Sequence, residues 1–421
     1  MILPEKTETK QAPPLLHAPI LMNAAEAEVI RALRRKGTIS RTEISNITGW
    51  SKAKTSQEIR SLVGKGYLVE VGEGASQGGR RPGLLRVNDQ LGYLVGLDIG
   101  ATSIDSVLAD VGGKVLQRRS VPADVRQSPD EFLSRCSELI LEMANAQGCH
   151  HNQILGIGVG VPGPVDFTHS VLIAPPLMPG WENFPIRDFF QHTFPAAYVV
   201  VDNDVNIMAI GEQRAGEGIG IDHFIFIKIG TGIGSGIISN GKIHRGSIGC
   251  AGDIGHICVD KQGPICRCGN TGCLEAVAAG PAITEKAMQA AMNGSSPLLR
   301  QMMDANGGIL RPEDVNAACR EGDQAALEII RASGQMIGDV LAGLVNFFNP
   351  SHIFIGGGIT NFGNRLLVSI RRAVLRRSLP LATRHLSINY SGMGPEAGVT
   401  GAVALAREYL FIVEGQPSFT V

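Results

Sequence analysis

One His and three Cys, His256, Cys266, Cys268 and Cys273, fall within 18 residues at the spacing His-x9-Cys-x-Cys-x4-Cys. Four such ligands saturate a tetrahedral Zn²⁺ and leave no open position for water. The spacing therefore predicts a structural metal rather than a hydrolytic one. Gly269 and Gly272 lie among the thiols, where a chain folded tightly around an ion needs them. The other five Cys (Cys136, Cys149, Cys250, Cys258, Cys319) show no disulfide framework, which suits a reducing cytoplasm. No apolar run approaches the ~18 residues of a membrane span, and no secretory signal pattern precedes residue 23.

A chain of 421 residues is too long for one small core. Its net charge of −1 hides an asymmetry. Asn23 to Val87 carries 12 Lys/Arg against 6 Asp/Glu, whereas the remainder carries 26 against 33. A basic head on an acidic body predicts that only the head meets a polyanion.

The head reads as helices. Ala25, Val29, Ala32 and Leu33 recur at helical spacing and Gly37 stops the run. Ser40-Arg-Thr-Glu43 is a capping box opening a second helix that carries Ile44 and Ile47 inward. After Thr48-Gly49-Trp50, Ser51 caps a third helix. Ala53, Ile59, Leu62 and Val63 face inward there, and Lys52, Lys54, Thr55, Gln57 and Arg60 outward. This is a helix-turn-helix, with Lys52, Lys54, Thr55, Ser56 and Arg60 as candidate DNA contacts. From Gly66 a two-stranded wing follows, closed by Leu84-Leu-Arg-Val87. Its tip holds Arg80 and Arg81 beside Gly and Pro, a pair suited to a narrow minor groove. A plain linker is the alternative for the tip.

From Tyr93 the pattern changes to short apolar strands with Gly-rich turns, alternating with helices. Leu94 to Leu97 ends in Asp98-Ile-Gly100-Ala-Thr102-Ser103. Such a turn brings N–H and hydroxyl groups up to a phosphate, and Asp98 can hold a Mg²⁺-bound water. A plain hairpin is the alternative reading of that turn alone. A second turn, Gly230-Thr231-Gly232-Ile-Gly234, and a third, Gly356-Gly357-Gly358, follow further apolar strands. Between them Val199-Val-Val-Asp202-Asn203-Asp204 places polar groups at a strand end, with Asp202 and Asn206 read as capping the next helix. A carboxylate there can take a proton from a sugar hydroxyl.

The zinc block and these three turns resemble the ROK family (repressors, open reading frames and sugar kinases), over roughly Tyr93 to Tyr409. The resemblance implies an α/β chain: an N-terminal winged helix-turn-helix, then a two-lobed body of actin-like ATPase (ribonuclease-H-like) fold. The expected divisions are a tail to residue 22, the winged head over 23–90, one lobe over 91–205, and a second from 206. That second lobe carries the zinc loop, and a C-terminal helix returns to the first. Carried over by motif, Asn203, Asp204, Asp253, His256 and Glu275 bind sugar, with Asp204 the base if phosphate is transferred. Asp98, Gly100, Thr102, Gly230, Thr231, Gly232 and Gly357 would meet ATP with its Mg²⁺. Trp181-Glu-Asn183 is placed beside the same cleft. Two positions depart from the family's kinases: Asp253 is one methylene shorter than their Glu, and Ser103 stands where many have a basic or amide residue.

The function these features imply is a sugar-responsive transcriptional regulator, a repressor of carbohydrate uptake or catabolism genes. It would bind operator DNA as a homodimer or homotetramer, with a sugar or sugar phosphate as effector and Zn²⁺ as structural cofactor. The alternative is an ATP-dependent hexose kinase, or a protein that does both. Gln324 to Pro350 reads as a long helix with a buried stripe, and Ala282 to Arg320 as a peripheral helical insert.

Overall fold

The computed structural model describes residues 19–73 and 83–414. Arg80 and Arg81 lie outside the described residues. The chain opens with β1 (Ile20–Met22), α1 (Ala24–Lys36), β2 (Ile39–Ser40), α2 (Arg41–Thr48), α3 (Lys52–Gly64), β3 (Leu68–Glu73) and β4 (Gly83–Val87). Capping boxes start α1 and α2: Asn23 with Glu26, and Ser40 with Glu43. They satisfy amides that the helix itself leaves unbonded. The strands form a three-stranded sheet in the order β2-β4-β3, so three helices and a wing make up the head.

Helix α3 departs from the sequence pattern in detail. Thr55, Ile59 and Leu62 are its buried residues, whereas Ala53 and Val63 face solvent, as does Ile47 of α2. Thr55 is therefore not a DNA contact: its Oγ1 donates to the Ser51 carbonyl at 3.1 Å beneath the helix. Lys52, Lys54 and Arg60 are exposed and Ser56 is half-buried. Lys54 Nζ rests 4.4 Å from the Trp50 ring centroid, which holds its charge at the start of the helix.

The body holds two five-stranded sheets. The first is built from β5 (Tyr93–Ile99), β6 (Ser103–Asp110) and β7 (Val115–Pro122), then, after α4 (Pro129–Gln147), β8 (Ile154–Val161). A short ribbon, β9 (Val165–Asp166) and β10 (Val171–Leu172), and α5 (Ile186–Thr193) lead to β11 (Tyr198–Asn203) and α6 (Asp204–Ala215). The strand order is β11-β8-β5-β6-β7, and β8 is parallel to both neighbours. Every residue of β8 is buried, as expected of a strand covered on both faces.

The second sheet starts with β12 (Phe224–Ile229), β13 (Ile233–Ser239) and β14 (Lys242–His244). After the Cys-rich loop come α7 (Leu274–Ala278), α8 (Gly280–Met292), α9 (Pro297–Ala305), α10 (Pro312–Arg320) and α11 (Gln324–Phe348). The chain then adds β15 (His352–Gly356), α12 (Asn364–Arg377), α13 (Pro380–Thr383), β16 (Ser387–Tyr390), α14 (Glu396–Leu410) and β17 (Phe411–Val413). The order is β14-β13-β12-β15-β16. The segment 282–320 is not peripheral: Ile283, Leu299, Met303 and Val315 belong to the same buried cluster as Ile225 and Ile353.

Glycine decides how α14 sits. A Cβ at Gly158 of β8 would overlap the Ala402 carbonyl, one at Gly401 the Ile207 carbonyl, and one at Gly211 the Ala397 carbonyl. Helices α6 and α14 thus cross with their backbones in contact, beneath β5, β8 and β11. At its far end α14 meets the head. β17 pairs in parallel with β1, Phe411 packs edge-on to Tyr67, and Arg34 Nη1 donates to the Glu408 carbonyl at 2.9 Å. Leu33, Ile39 and Leu68 of the head share one buried cluster with Val107, Val403 and Leu410 of the body.

Candidate functional site

The two sheets flank a cleft of about 750 Å³. From the first sheet come the β5–β6 turn (Asp98, Gly100, Thr102, Ser103) and the loop after β8 (Pro162, Gly163). From the second come the β12–β13 turn (Gly230 to Ser235), Gly357 and Gly358 after β15, and the segment with Asp253, His256 and Glu275. Asn203 and Asp204 lie between. The structure therefore brings together the five residues carried over by motif to sugar and the seven carried over to nucleotide. Gly357 shows why the third turn is glycine: at φ +87° a Cβ would stand 2.6 Å from the Ile229 carbonyl of the neighbouring turn.

Asn203, not Asp202 or Asn206, caps α6. Its Oδ1 accepts from Val205 N at 2.9 Å and Asn206 N at 3.4 Å, while its Nδ2 donates to the Gly163 carbonyl at 2.9 Å. It thus ties the loop after β8 to the helix start. Asp202 instead pairs with Arg245 (Nη2–Oδ2 2.8 Å) and accepts from Asn206 Nδ2 at 2.8 Å. Both charges of that pair are buried, and Arg245 also lies 3.8 Å over the Phe167 ring. Trp181 is displaced from its expected place: it is fully buried, edge-on to Phe132, and donates to the Gln127 carbonyl at 3.3 Å, away from the cleft.

Glu275 Oε2 accepts from Ile233 N at 3.0 Å, so this carboxylate also shapes the β12–β13 turn. His256 turns its Nδ1 toward Cys266 Sγ (3.6 Å) and its Nε2 toward Asp253 Oδ1 (3.9 Å). One nitrogen thereby faces the thiols and the other the cleft. The ligand atoms of His256, Cys266, Cys268 and Cys273 all lie within 4.8 Å of one another, a set able to hold a metal ion. Burial, with hydrogen bonds from Cys268 and Cys266, pushes the Cys273 thiol up to about 12. Thiols in such a cluster ionise when a divalent cation coordinates them.

Asp98 is half-buried with its Oδ1 shielded from solvent, and this desolvation pushes its carboxyl up to about 7; Lys228 opposes the shift, and Asp204 and Asp105 reinforce it. One oxygen, Oδ1, has no partner, and a Cβ on Gly398 of α14 would overlap the other. The folded chain thus keeps a proton that the unfolded chain releases between about pH 4 and 7. Stability is greatest at the acid end of that window and falls as pH rises through it, by up to about 1.4 kcal/mol per pH unit for this group. Asp98→Asn, which cannot ionise, should flatten that fall. Urea midpoints at pH 5, 6, 7 and 8 measure it.

Sequence reasoning missed Lys228. Phe224, Phe226 and Lys228 alternate along β12 onto the face that packs against α6, and Lys228 Nζ reaches Asp204 Oδ2 at 2.5 Å. The signal was a single charge at an inward position of Phe-Ile-Phe-Ile-Lys-Ile. Leu310, Arg311 and Pro312 also border the cleft, so the segment before α10 is one of its walls.

Residues 94–409 match the family model described as "ROK family". The chain belongs to the ROK family. Among its relatives, the xylose repressor of Caldicellulosiruptor bescii is 33% identical over 378 residues, covering 90% of this chain and 94% of that one. The glucokinase of Thermotoga maritima is 30% identical, covering 75% of this chain and 97% of its own length. A solved ROK family transcriptional regulator, a homolog of the E. coli MLC protein, superimposes with a TM-score of 0.77. It is 28% identical and covers 91% of this chain and 97% of its own. The ROK glucokinase of Streptomyces griseus, solved with glucose and AMPPNP, gives 0.65 at 31% identity, covering 75% of this chain and all of its own. These ROK proteins share the actin-like ATPase fold. The repressor and regulator matches extend over about nine-tenths of this chain, whereas the kinase matches extend over about three-quarters of it.

Proposed function

We propose that this chain is a sugar-responsive DNA-binding transcriptional repressor of carbohydrate uptake or catabolism genes. The observation that carries the reading is the joining of a winged head to a sugar-kinase-like body through α14. The first turn of α14 packs on Asp98 at the cleft, and its last residues and β17 are bonded to α1 and β1 of the head. A sugar held among Asn203, Asp204, Asp253, His256 and Glu275 draws the two lobes together. Any tilt this gives α14 reaches the head as a rigid-body shift. Paired heads must meet half-sites about one DNA turn apart, so a small shift releases the operator. Such a switch requires a coupling of only about 1–3 kcal/mol. The working assembly is a cytoplasmic homodimer or homotetramer, and Zn²⁺ at His256, Cys266, Cys268 and Cys273 fixes the loop that presents His256 and Glu275.

Fluorescence anisotropy on DNA from the protein's own upstream region, with and without a panel of sugars, tests this reading. One sugar should lower affinity about tenfold or more, and Asp204→Ala should abolish that response. A protein that binds no DNA specifically, or whose binding no sugar alters, is not this repressor. Lys52, Lys54 and Arg60 together replaced by Ala should weaken binding to all sequences. The salt dependence should flatten by roughly three units of log–log slope, about one for each lost phosphate contact.

The kinase reading has behind it the retained glycine turns after β5, β12 and β15 and the likeness of the body to the glucokinases. It requires Asp204 free to accept a proton. The Lys228 ammonium already pairs with one oxygen of that carboxylate, and this pairing is what places the kinase reading second.

A further inference from the structure

Lys228 has room to do more than fill space. Its cross-strand neighbours are Gly234 on β13 and Gly356 on β15, so no side chain flanks it on the sheet. Its stem continues the face of Phe224 and Phe226, and its head arrives at the first residue of α6. The Lys228 and Asp204 side chains are only 24% and 7% exposed, at 2.5 Å separation. Burial disfavours the ammonium, but the nearby carboxylates, Asp204 foremost, more than offset this and keep it charged.

A nucleotide-dependent kinase needs a hydrated divalent cation here to neutralise phosphate charge, together with an unengaged carboxylate. In this chain a fixed monocation stands between the acids. The cleft is lined by Asp98, Asp105, Asp204, Asp253 and Glu275 against Lys228 and Arg311. With the ammonium committed to Asp204, a phosphate brought without a metal meets an excess of negative charge. A metal brought with it meets the ammonium. Uncharged hydroxyls meet neither penalty and can hydrogen-bond to the free carboxylate oxygens.

We propose that Lys228 is a resident cation that takes the metal's place, making this cleft a reader of uncharged sugars that excludes Mg²⁺–nucleotide. It is a specificity-determining residue. The inference rests on the proposed placing of the effector sugar at Asn203, Asp204 and Glu275.

The test is calorimetric titration of the full-length, zinc-loaded protein with Mg²⁺–AMPPNP, an ATP analogue that is not hydrolysed. Wild type, Lys228→Thr and Lys228→Arg are compared, each also titrated with the panel of free sugars and their 6-phosphates. Wild type and Lys228→Arg should bind Mg²⁺–AMPPNP at least tenfold more weakly than Lys228→Thr, whose gain should vanish in EDTA after re-addition of zinc alone. A merely structural lysine would give no such Mg²⁺-dependent gain. Wild type that binds Mg²⁺–AMPPNP as tightly as Lys228→Thr, or that prefers a sugar 6-phosphate to the free sugar, overturns the proposal. Should Lys228→Thr not fold, Lys228→Met takes its place in the same comparison. Failure of the sugar reading would look different, since no sugar of either kind would then bind.

Discussion

Cys273→Ser should lose the bound metal and with it the sugar response, while the protein still binds DNA. The reason is that the loop has no other core. Between Ile257 and Thr271 only Cys266 is buried, and Ile265 is 80% exposed. What fixes the backbone is a handful of hydrogen bonds, such as Cys266 N to the Asn270 carbonyl at 2.7 Å and Val259 N to the Gly272 carbonyl at 2.8 Å. Such a segment cannot offset its conformational entropy by apolar burial, so coordination must do it. Glu275 lies two residues beyond Cys273, and His256 is itself one of the four groups, so both cleft contacts go slack with the metal. We expect one Zn²⁺ per chain by elemental analysis, and less than a tenth of that in Cys273→Ser. Sugar affinity should fall at least tenfold, with operator affinity in the absence of sugar changed by less than threefold. Cys258→Ser, at an exposed thiol outside the set, is the control and should change neither. Equal zinc content in the two variants would dismiss the metal assignment.

The second large effect is expected where no chemistry occurs. Gly401→Val places a branched side chain into the carbonyl of Ile207, at a crossing where the facing glycine, Gly211, is already against the Ala397 carbonyl. Backbone cannot yield as a flexible side chain does, so α14 must move away from α6. The cost should be at least about 3 kcal/mol. Because α14 also lies against β5 and β8 and carries β17 to the head, the displacement should be felt at both ends. Denaturant unfolding should show a lowered midpoint, and even in folded protein the sugar should no longer change DNA affinity. Ala404→Val, a smaller insertion at a half-buried position of the same helix, should cost less than about half as much. If Gly401→Val matches wild type in midpoint, the helices do not cross as closely as described.

Much of the molecule is legible from local sequence because its determinants are local. The Ser40 capping box bonds residues three apart, the Gly turns follow apolar strands directly, and one His with three Cys in a short loop has few ways to place its donors except around an ion. Local patterning was weaker where a pattern admits two faces. On α3, Ala53 and Val63 fit helical spacing as well as Thr55 does, but the head packs its core on Thr55, Ile59 and Leu62. A small polar residue that bonds its own helix carbonyl can be buried at little cost. Trp181 likewise reads as a cleft residue only until its neighbours are known, for it fills the first lobe's core against Phe132.

The sequence by itself determined the cluster of one His and three Cys able to hold a metal, the caps of α2 and α3, the three glycine turns and the basic character of the head. Each depends on residues within one turn, one loop or one helix. Only the tertiary structure decided that Lys228 meets Asp204 across 24 residues, that Gly398 closes on Asp98 across 300, and that β1 pairs with β17 from the far end of the chain. No periodicity encodes such contacts. They exist because the summed burial of two sheets and the α6–α14 crossing outweighs the entropy of closing very long loops, which grows only with the logarithm of their length.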